Sequence, residues 1–367
     1  MNSHSGPEPT SLAKLGFRMP PEWHRHERTW LSWPHNEDTW PTNLAAAQNE
    51  FVRLVAAIAA DEQVSVLVGE HSISDLQNAI QELDDEIHSK IQCVTIATND
   101  AWIRDYGPTF VIHDAERKLA AIDWQYNAWG GKYPPFDDDQ RVADQIFAMY
   151  PETIDATRQS EFCIEGGAVE IDEDGVLMCT HSSMLDPNRN PNRTIEEIER
   201  ELKRQLGASQ VIWLPGDTKN GPVLIGDDTD AHIDQLARFA PGGNIVYAWT
   251  ENKNDTQYAV LEENLTQLKN RLKLANLEYQ LTPLPLPDPV IFNGFQLPAC
   301  YCNFYVTNRS VIVPVFDREQ DSQAMEVLGS LFPNRQTVGL PSTNLTVGLG
   351  SFHCLTQQMP LAWSNGD

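Results

Sequence analysis

Apolar residues recur at helical spacing in four stretches of the chain. In the clearest stretch, Thr194 and Glu197 supply the sequence of a capping box, and Gly207 stands where the helix would end. We predict four amphipathic helices whose apolar stripes face the core and carry no chemistry. The stripes are Leu76, Ile80 and Leu83; Ile195, Ile198, Leu202 and Leu206; Leu261, Leu265, Leu268 and Leu272; and Met325, Leu328 and Leu331.

Short strand-like runs flank these helices. The runs before the helices are residues 64–68, 176–179, 244–249 and 311–316, and those after them are residues 92–97, 210–214, 278–284 and 337–340. The chain therefore repeats strand, helix, strand and loop about every sixty residues, although the copies share little identity. This alternation predicts an α/β fold.

Three unusually polar loops each follow the strand that comes after a helix. They are residues 99–108, 226–234 and 348–354. His232 lies about two repeats beyond Asp105, and Cys354 lies about two repeats beyond His232. A ring of such repeats would bring the three loops to one end of a shared axis, so we expect these three residues to meet.

Residues 1–16 are polar and contain proline, and we predict a disordered N-terminal tail there. No linker rich in proline or serine and no sustained charge run divides the remainder. Residues 17–367 are therefore predicted to form a single catalytic domain. The N-terminus lacks the apolar run of a signal peptide, and no segment approaches a membrane span, so we expect a cytoplasmic protein.

The six cysteines are scattered, with no CxxC pair and no zinc-finger spacing. This spacing argues against a structural zinc site, and a chain of 367 residues argues against a disulfide scaffold. A reducing cytoplasm fits the pattern, because a free reactive thiol can persist there.

Acidic residues outnumber basic residues by 52 to 26, which gives a formal net charge of −26. Nucleic acids and anionic membrane surfaces repel such a field, so we exclude both as partners. Small cations are attracted by it, and we expect a small cationic substrate. The plainer alternative is that the acidity only keeps the protein soluble.

Cys354 is the candidate nucleophile. Gly348 and Gly350 permit an unusual backbone ahead of it, and His353 and Thr356 are polar neighbours that a core strand would not select. A single cysteine with a distant histidine and carboxylates is the general pattern of cysteine nucleophile catalysis. The alternative is a buried small hydrophobe, which is our interpretation of the other five cysteines.

His232 and Asp234 end a nine-residue loop that contains four carboxylates and one histidine. Neither an EF-hand nor an HExxH motif fits this spacing. In an extended segment the two side chains point to the same face, because side chains repeat every second residue. One interpretation is a proton-carrying histidine beside an anionic pocket wall, and the other is a solvated turn.

Asp105, Trp102 and Glu165 are further candidates. Trp102 and Asp105 share a compact loop, where an aromatic wall beside a carboxylate suits a planar cation. The alternative is a loop closed by Arg104 and an aspartate. Glu165 precedes two glycines, and two interpretations stay open for it: a bulged turn, or a carboxylate that raises the basicity of His232.

Seven motifs together resemble the agmatine deiminase family, the branch of the guanidine-modifying (pentein) superfamily that also holds the bacterial peptidylarginine deiminases. The resemblance runs in order from about residue 17 to residue 362. The motifs are MPPEWHRHERTWLSWP (19–34), NDAWIRDYGPTFV (99–111), WQYNAWGGKYP (124–134), EGG (165–167), DPNRNP (186–191), GDDTDAHID (226–234) and SFHCLTQQMP (351–360).

This resemblance implies a five-bladed, pseudo-symmetric α/β propeller built from ββαβ modules. It also implies a homo-oligomer, and chemistry that needs neither a metal nor an organic cofactor. By position, the implied roles are nucleophile for Cys354, general acid/base for His232, guanidinium-binding carboxylates for Asp105 and Asp234, orientation of the histidine for Glu165 and a pocket wall for Trp102.

Two positions depart from the family pattern. Typical members carry GGGxxHC before the nucleophile, and this chain has Leu349 in place of the middle glycine. Typical members also carry DGH, and this chain has Ala231 in place of that glycine. All the implied chemical residues are kept, so we expect the reaction class to be kept as well, while the shape of the substrate pocket stays open.

The implied reaction is hydrolysis of agmatine to N-carbamoylputrescine and ammonia through a covalent thiouronium on Cys354, as a step of polyamine synthesis. We expect agmatine to be preferred over arginine, because an arginine site needs a cation for the α-carboxylate and the catalytic loops carry carboxylates instead. Asp228 is our candidate for the residue that meets the distal ammonium of agmatine.

Three alternatives remain. Within the family, the substrate is free arginine or a peptide ending in arginine. From a different class, the protein is a non-catalytic polyamine-binding protein, which would have no use for Cys354. An acyl-transfer cysteine hydrolase is the third, and two carboxylates beside the reacting carbon would oppose its developing oxyanion.

Overall fold

The structure is a computed structural model, and it describes residues 10–152, 154–218 and 221–362. The strands are β1 (His26–Ser32), β2 (Gln63–Val68), β3 (Ile91–Thr95), β4 (Thr109–His113), β5 (Lys118–Gln125), β6 (Ile154–Cys163), β7 (Glu170–Ile171), β8 (Val176–Thr180), β9 (Gln210–Leu214), β10 (Ala237–Ala240), β11 (Asn244–Trp249), β12 (Gln280–Pro285), β13 (Ile291–Phe292), β14 (Phe295–Gln296), β15 (Tyr305–Val306), β16 (Ser310–Val315), β17 (Gln336–Pro341) and β18 (Thr356–Pro360).

The helices alternate with these strands. They are α1 (Leu44–Asp61), α2 (Ile73–Ile80), α3 (Asp85–His88), α4 (Ile103–Tyr106), α5 (Ala128–Gly131), α6 (Val142–Met149), α7 (His181–Met184), α8 (Ile195–Leu206), α9 (Tyr258–Ala275), α10 (Gln320–Leu331) and α11 (Thr343–Thr346). Short 3₁₀ turns span Ala13–Leu15, Asp139–Arg141, Gly166–Ala168, Ile233–Gln235 and Tyr301–Asn303. The predicted α/β class is therefore correct.

Five sheets in the described residues follow one plan. Each begins with two antiparallel strands, and a further strand runs parallel to the second after a helical crossover, which is the connection that parallel strands require. These sheets are β18-β1-β2-β3, β4-β5-β6, β7-β8-β9, β10-β11-β12 and β15-β16-β17, and their crossover helices are α1, α6, α8, α9 and α10. The last strand of the chain, β18, pairs with the first, β1.

Local sequence signals explain the crossover helices well. The Thr194 side chain accepts from the Glu197 amide, the Glu197 side chain accepts from the Thr194 amide, and Gly207 ends α8 with a left-handed φ of 69°. The predicted apolar stripes lie on α2, α8, α9 and α10. One detail is wrong, because α2 ends at Ile80 and Leu83 lies beyond it in a turn.

The predicted N-terminal tail needs a correction at its end. Residues 1–9 lie outside the described residues, but residues 10–16 do not form a disordered segment. Leu12 is fully buried, and Ala13–Leu15 form a 3₁₀ turn that Gly16 ends with a left-handed φ of 89°. The reason is apolar packing, since Leu12 and Phe17 join a core cluster with the apolar face of α8.

Five short segments stand directly before the first strand of the five sheets, and we call them the inner ring. They are Ile103–Tyr106 before β4, Gly166–Ala168 before β7, Ile233–Gln235 before β10, Tyr301–Asn303 before β15 and residues 351–355 before β18. The first four contact one another in that order, and hydrogen bonds join Asn303 to the fifth. No helix among the described residues is long and apolar enough to cross a membrane.

Candidate active site

Cys354 lies in the last segment of the inner ring, just before β18. Its Sγ is 3.1 Å from Nδ2 of Asn303 and 3.7 Å from Oδ2 of Asp234. Burial raises the pKa of the Cys354 thiol well above its ordinary value, and the charges of Asp234 and Asp105 raise that pKa further. The thiol is therefore the protonated form in the free protein at neutral pH.

Two glycines let the segment before Cys354 lie flat against an indole ring. A Cβ at Gly350 would stand 2.5 Å from the ring of Trp102, and one at Gly348 would stand 2.8 Å from the same ring. Trp102 is in turn backed by Trp40, with 5.3 Å between ring centroids. Trp102 thus lines a cavity and also supports the segment that carries the thiol.

Asp105 sits at the end of the turn α4 and is held at both oxygens. Its Oδ1 accepts from the backbone amide of Gly167 at 2.9 Å, and its Oδ2 accepts from the indole N–H of Trp129 at 2.8 Å. Burial raises the pKa of Asp105, and the nearby charge of His232 counteracts part of this rise. The two hydrogen bonds therefore fix the orientation of the carboxylate, but the positive charge of His232 offsets only part of the cost of burying its negative charge.

Asp234 faces Cys354 from the 3₁₀ turn Ile233–Gln235. Its Oδ2 accepts from Nδ1 of His353 at 2.7 Å and from Asn303 at 3.3 Å. Its Oδ1 is buried and has no hydrogen-bond partner among the described residues. Burial raises the pKa of Asp234, but the hydrogen bond and charge of His353 outweigh burial and lower it overall. An ionised oxygen is thus left to accept from a ligand.

His232 is positioned by Glu165, whose Oε2 lies 2.9 Å from Nε2 of the imidazole. The other ring nitrogen, Nδ1, lies 3.7 Å from Oδ1 of Asp105. Burial lowers the pKa of His232, but the charge of Asp105 and the hydrogen bond to Glu165 outweigh it and raise the pKa to about 9. The imidazole is therefore cationic at neutral pH, with Nδ1 turned toward the reacting groups.

Glu165 is itself anchored by a buried arginine. The Nε of Arg189 lies 2.8 Å from Oε1 and 2.9 Å from Oε2 of Glu165. The guanidinium also donates to Oδ2 of Asp230 at 2.6 Å and to the carbonyl of Thr229 at 2.9 Å. Burial raises the pKa of Glu165, but the charge of Arg189 outweighs it and keeps the carboxyl ionised.

Gly167 marks the point where the charged groups converge. A Cβ at this position would stand 2.8 Å from Nδ1 of His232 and about equally close to both Asp105 and Asp234. His232 and Asp234 do reach one site, but the predicted extended segment is wrong. Residues Ile233–Gln235 form a 3₁₀ turn, so the shared direction comes from the turn and not from strand alternation.

A cavity of about 950 Å³ opens onto these groups. Cys354, Asp105, Trp102 and Asp228 line it. His232 and Asp234 do not line it, but they lie 3.7 Å from the lining residues Asp105 and Cys354, respectively. Its carboxylates include those of Glu37, Asp38, Asp100, Asp139 and Asp228. Among the cavity-lining residues, the basic side chains are Lys132 and His35, and Lys132 is already paired with Asp230 at 2.7 Å.

Three residues of the site were not singled out from the sequence: Asn303, Trp129 and Arg189. The last two lie inside quoted motifs, so the resemblance could have drawn attention to them, whereas Asn303 carries no local signal. The suggested pairing of Arg104 with an aspartate is wrong. Arg104 donates instead to Gln358 at 2.7 Å and lies 3.4 Å from Glu22.

The arrangement combines a thiol, a cationic imidazole and two carboxylates, one of which has a buried oxygen with no partner in the part of the chain that the structure describes. Carboxylates in this position can hold a planar cation at its nitrogens, leaving its central carbon open to the sulfur. Among the described residues, no group of three His, Cys, Asp or Glu side chains could hold a metal ion. The geometry therefore fits nucleophilic attack on a cationic carbon.

A family model described as Porphyromonas-type peptidyl-arginine deiminase matches residues 18–360. The chain belongs to this family. It is 35% identical to the agmatine deiminase of Pseudomonas aeruginosa (strain LESB58) over 375 residues, which cover 96% of this chain and 98% of that relative. The resemblance inferred from the seven motifs is thereby confirmed.

Solved structures give the same result. An agmatine deiminase of Enterococcus faecalis superposes with a TM-score of 0.87 at 29% identity, covering 97% of this chain and 99% of the other. An agmatine deiminase of C. jejuni with substrate bound superposes with a TM-score of 0.82 at 28% identity, covering 94% and 96%. The mixed α/β fold is therefore that of these enzymes.

The two departures from the family pattern have a backbone explanation. Leu349 and Ala231 both adopt left-handed φ angles, of 73° and 59°. Glycine enters this region at no steric cost, whereas a leucine or alanine there is strained. Both positions therefore need a left-handed φ, which explains a preference for glycine there. This chain adopts the same backbone conformation with strained residues, Leu349 and Ala231.

Proposed function

We propose that this protein is an agmatine deiminase, a hydrolase that converts agmatine to N-carbamoylputrescine and ammonia. The observation that carries the proposal is the placement of Asp234. Its Oδ2 lies 3.7 Å from Sγ of Cys354 and converges with Asp105 at Gly167, while its buried Oδ1 has no hydrogen-bond partner among the described residues. A guanidinium offers N–H donors to both carboxylates at once and places its carbon between them.

Burial and the charges of Asp234 and Asp105 hold the Cys354 thiol in its protonated form in the free protein. In the first half-reaction, the guanidinium neutralises the two carboxylates and the thiol releases its proton to solvent. The thiolate attacks the central carbon and forms a C–S bond. His232, which is protonated through its partners Asp105 and Glu165, delivers a proton to the departing nitrogen. The C–N bond breaks, ammonia leaves, and a thiouronium remains on the sulfur.

In the second half-reaction, the imidazole of His232 is neutral and accepts a proton from a water molecule. The resulting hydroxide equivalent attacks the thiouronium carbon, the C–S bond breaks, and the ureido product leaves. The new hydroxyl group of the product loses its proton to solvent, and the Cys354 thiolate takes up a proton, so that the thiol and the cationic imidazole are restored. Glu165 holds the imidazole by Nε2 throughout, so that Nδ1 serves both proton transfers.

The cavity favours agmatine over arginine. At the end away from the guanidinium, agmatine carries only an ammonium, whereas arginine carries an ammonium and a carboxylate. Several carboxylates line the cavity. Burial raises the pKa of Asp228 to about 6, so its carboxylate is ionised at neutral pH and available to the distal ammonium. Lys132 is occupied by Asp230, so it is not a free partner for an α-carboxylate.

We also propose that the five sheets are the blades of a five-bladed propeller. The support is their common strand order and the pairing of β18 with β1, which joins the two ends of the chain. We place the reaction in the cytoplasm, because all six cysteines are free and a reducing compartment keeps Cys354 available.

The substrate is tested by comparing kcat/KM for agmatine, free arginine and a peptide ending in arginine, with ammonia and ureido product both measured. We expect agmatine to be preferred by at least tenfold. A preference for either arginine compound would overturn the substrate and leave the chemistry in place.

Cys354→Ser and Cys300→Ser serve as matched variants in the same assay. Cys354→Ser should abolish turnover, whereas Cys300→Ser keeps a donor for the carbonyl of Gln235 and should retain activity. Turnover by Cys354→Ser, or none by the wild-type protein on any guanidine, would contradict the deiminase proposal itself.

A further inference from the structure

The five segments of the inner ring occupy equivalent places in the five sheets, and four of them already contribute to the site, one of them through the backbone amide of Gly167 that holds Asp105. Asp105, Gly167, Asp234 and Cys354 each stand two to four residues before the first strand of a sheet. The fifth segment, Tyr301–Asn303, ends at a buried asparagine that neither exchanges a proton nor forms a bond in the two half-reactions. The repeat of the fold thus points to Asn303.

Hydrogen bonds fix the direction of the Asn303 amide. Its Oδ1 accepts from the backbone amides of His353 at 3.1 Å and Cys354 at 3.3 Å. Because only the oxygen can accept, the Nδ2 group must point the other way. There it meets Sγ of Cys354 at 3.1 Å and Oδ2 of Asp234 at 3.3 Å.

The sulfur has few favourable neighbours when it carries a negative charge. Two carboxylates face it, and the amide of Asn303 is a neutral donor aimed directly at it. We propose that Asn303 is a further catalytic residue of the deiminase, which donates a hydrogen bond to the Cys354 thiolate when that sulfur attacks and again when it leaves. This inference rests on the proposed function of the site.

The hydrogen bond has a definite place in the reaction. When the sulfur attacks the guanidinium carbon, and again when it departs from the thiouronium carbon, it is an anion, and an N–H donor stabilises it. In the covalent intermediate the sulfur is bonded to carbon and carries no anionic charge, so the same bond is weaker. Asn303 therefore favours the thiolate over both the thiol and the thiouronium, and acts on both half-reactions. It takes part in no bond making or breaking itself.

Alkylation of Cys354 tests this role without any substrate. The rate of reaction with iodoacetamide is measured against pH for the wild-type protein, Asn303→Asp and Asn303→Ala, with Cys354→Ser to subtract labelling at other thiols. Asn303→Asp keeps the oxygen that accepts from the two backbone amides and replaces the donor with an anion. Thermal unfolding reports on the fold of each variant.

Asn264→Ala is the matched structural control. This buried asparagine also bonds to backbone at both ends of its amide, on Gly216 and Val260, but it lies away from the cavity. Its variant should lower the melting temperature and leave the alkylation profile and kcat unchanged. Loss of stability can then be separated from loss of a donor to sulfur.

For Asn303→Asp we expect the pH profile of alkylation to move to higher pH, with the alkylation rate at pH 8 lowered at least tenfold. We expect kcat for agmatine to fall by roughly tenfold to a hundredfold, which is the size of effect expected for the loss of a hydrogen bond to a charged group. Asn303→Ala should lower the alkylation rate and kcat as well, but by smaller factors than Asn303→Asp. A folded Asn303→Asp protein with both quantities within threefold of wild type would overturn the proposal.

Failure of both variants to fold would also overturn it, because Asn303 would then belong to the scaffold. If the wild-type protein deiminates no guanidine while the alkylation profile still shifts, the proposed function has failed and the role of Asn303 at the sulfur has not.

Discussion

At the scale of single residues, Trp129 donates one of the two hydrogen bonds that hold the carboxylate of Asp105 in the site. Its indole holds Oδ2 of Asp105, and it does so from a backbone with a left-handed φ of 55°. Ala128 before it and Gly130 after it are left-handed as well. Strain of this kind persists where the surrounding structure holds the residue in place, and here it aims an indole at a carboxylate.

Trp129→Phe should therefore lower kcat/KM for agmatine by roughly tenfold to a hundredfold, because a hydrogen bond to a charged group contributes about 1.5–3 kcal/mol. Trp124→Phe is the matched control, since it also removes a buried indole donor, to Thr109 at 3.0 Å, but away from the cavity. Equal kcat/KM values for the two variants would show that Asp105 does not need the indole.

His232 links the same site to the pH dependence of stability. Its pKa is raised to about 9 in the folded protein, against an ordinary value of 6.5. A raised pKa means that protonated His232 stabilises the fold fully below pH 6.5, and that this contribution is lost as the pH rises through about 9.

Urea unfolding of wild type and His232→Gln at several pH values between 6 and 10 measures this contribution. The free energy of unfolding of wild type should fall more between pH 6.5 and 9.5 than that of the variant. Parallel curves for the two proteins would mean that His232 does not titrate with a raised pKa.

The sequence predicted the main chemical residues of the site but not all the residues that surround them. Cys354, His232, Asp105 and Asp234 stand in loops of unusual composition, and the structure brings them together. Asn303 could not be found in this way, because its contacts lie 51 residues along the chain at Cys354 and 69 residues back at Asp234. A neutral amide in an apolar stretch becomes significant only when the fold places it against a sulfur.

At the scale of elements, α8 is the clearest case of local sequence deciding structure. Both hydrogen bonds of the capping box are present, and Ile198, Leu202 and Leu206 are fully buried. By contrast, α1 has no such cap and an alanine-rich sequence, and it was not predicted. The left-handed turn Ala128–Gly131 was also missed, because only two of its four residues are glycines.

Thr194→Ala should lower the free energy of unfolding by about 1 kcal/mol, since it removes the side-chain acceptor of the cap. Thr194→Ser keeps the hydroxyl and should restore most of the loss, and kcat should be unchanged in both because α8 lies outside the cavity. Chemical denaturation checks the prediction, and equal stability of the alanine and serine variants would contradict it.

At the scale of the whole molecule, buried ion pairs tie separate sheets together beneath the site. Arg238 on β10 lies 2.9 Å from Glu170 on β7 and 2.9 Å from Glu22, which precedes β1. It also donates to the carbonyl of Phe304, before β15, at 3.0 Å. Burial raises the pKa of Glu22, but the charge of Arg238 outweighs it, so the pKa lies well below its usual range.

This network reaches the active site through one imidazole. His353 lies 2.9 Å from Glu22 by Nε2 and 2.7 Å from Asp234 by Nδ1. The position of Asp234 therefore depends on contacts made by several sheets. None of these pairings was predicted from the sequence, because they join residues that are distant in the chain and depend on how the sheets are arranged.

Arg238→Met should consequently lower the free energy of unfolding by about 3–5 kcal/mol, because it leaves Glu170 buried without its arginine partner and removes the nearer of the two arginines that pair with Glu22. Arg18→Met is the matched control, since the partly exposed pair of Arg18 with Asp114 contributes at most about 1 kcal/mol. Urea unfolding at pH 7 measures both. For any Arg238→Met protein that folds, kcat/KM should also fall, because Glu22 no longer fixes His353 against Asp234. A loss no larger than that of Arg18→Met would mean that the sheets are held by apolar packing alone, with the buried charges contributing little.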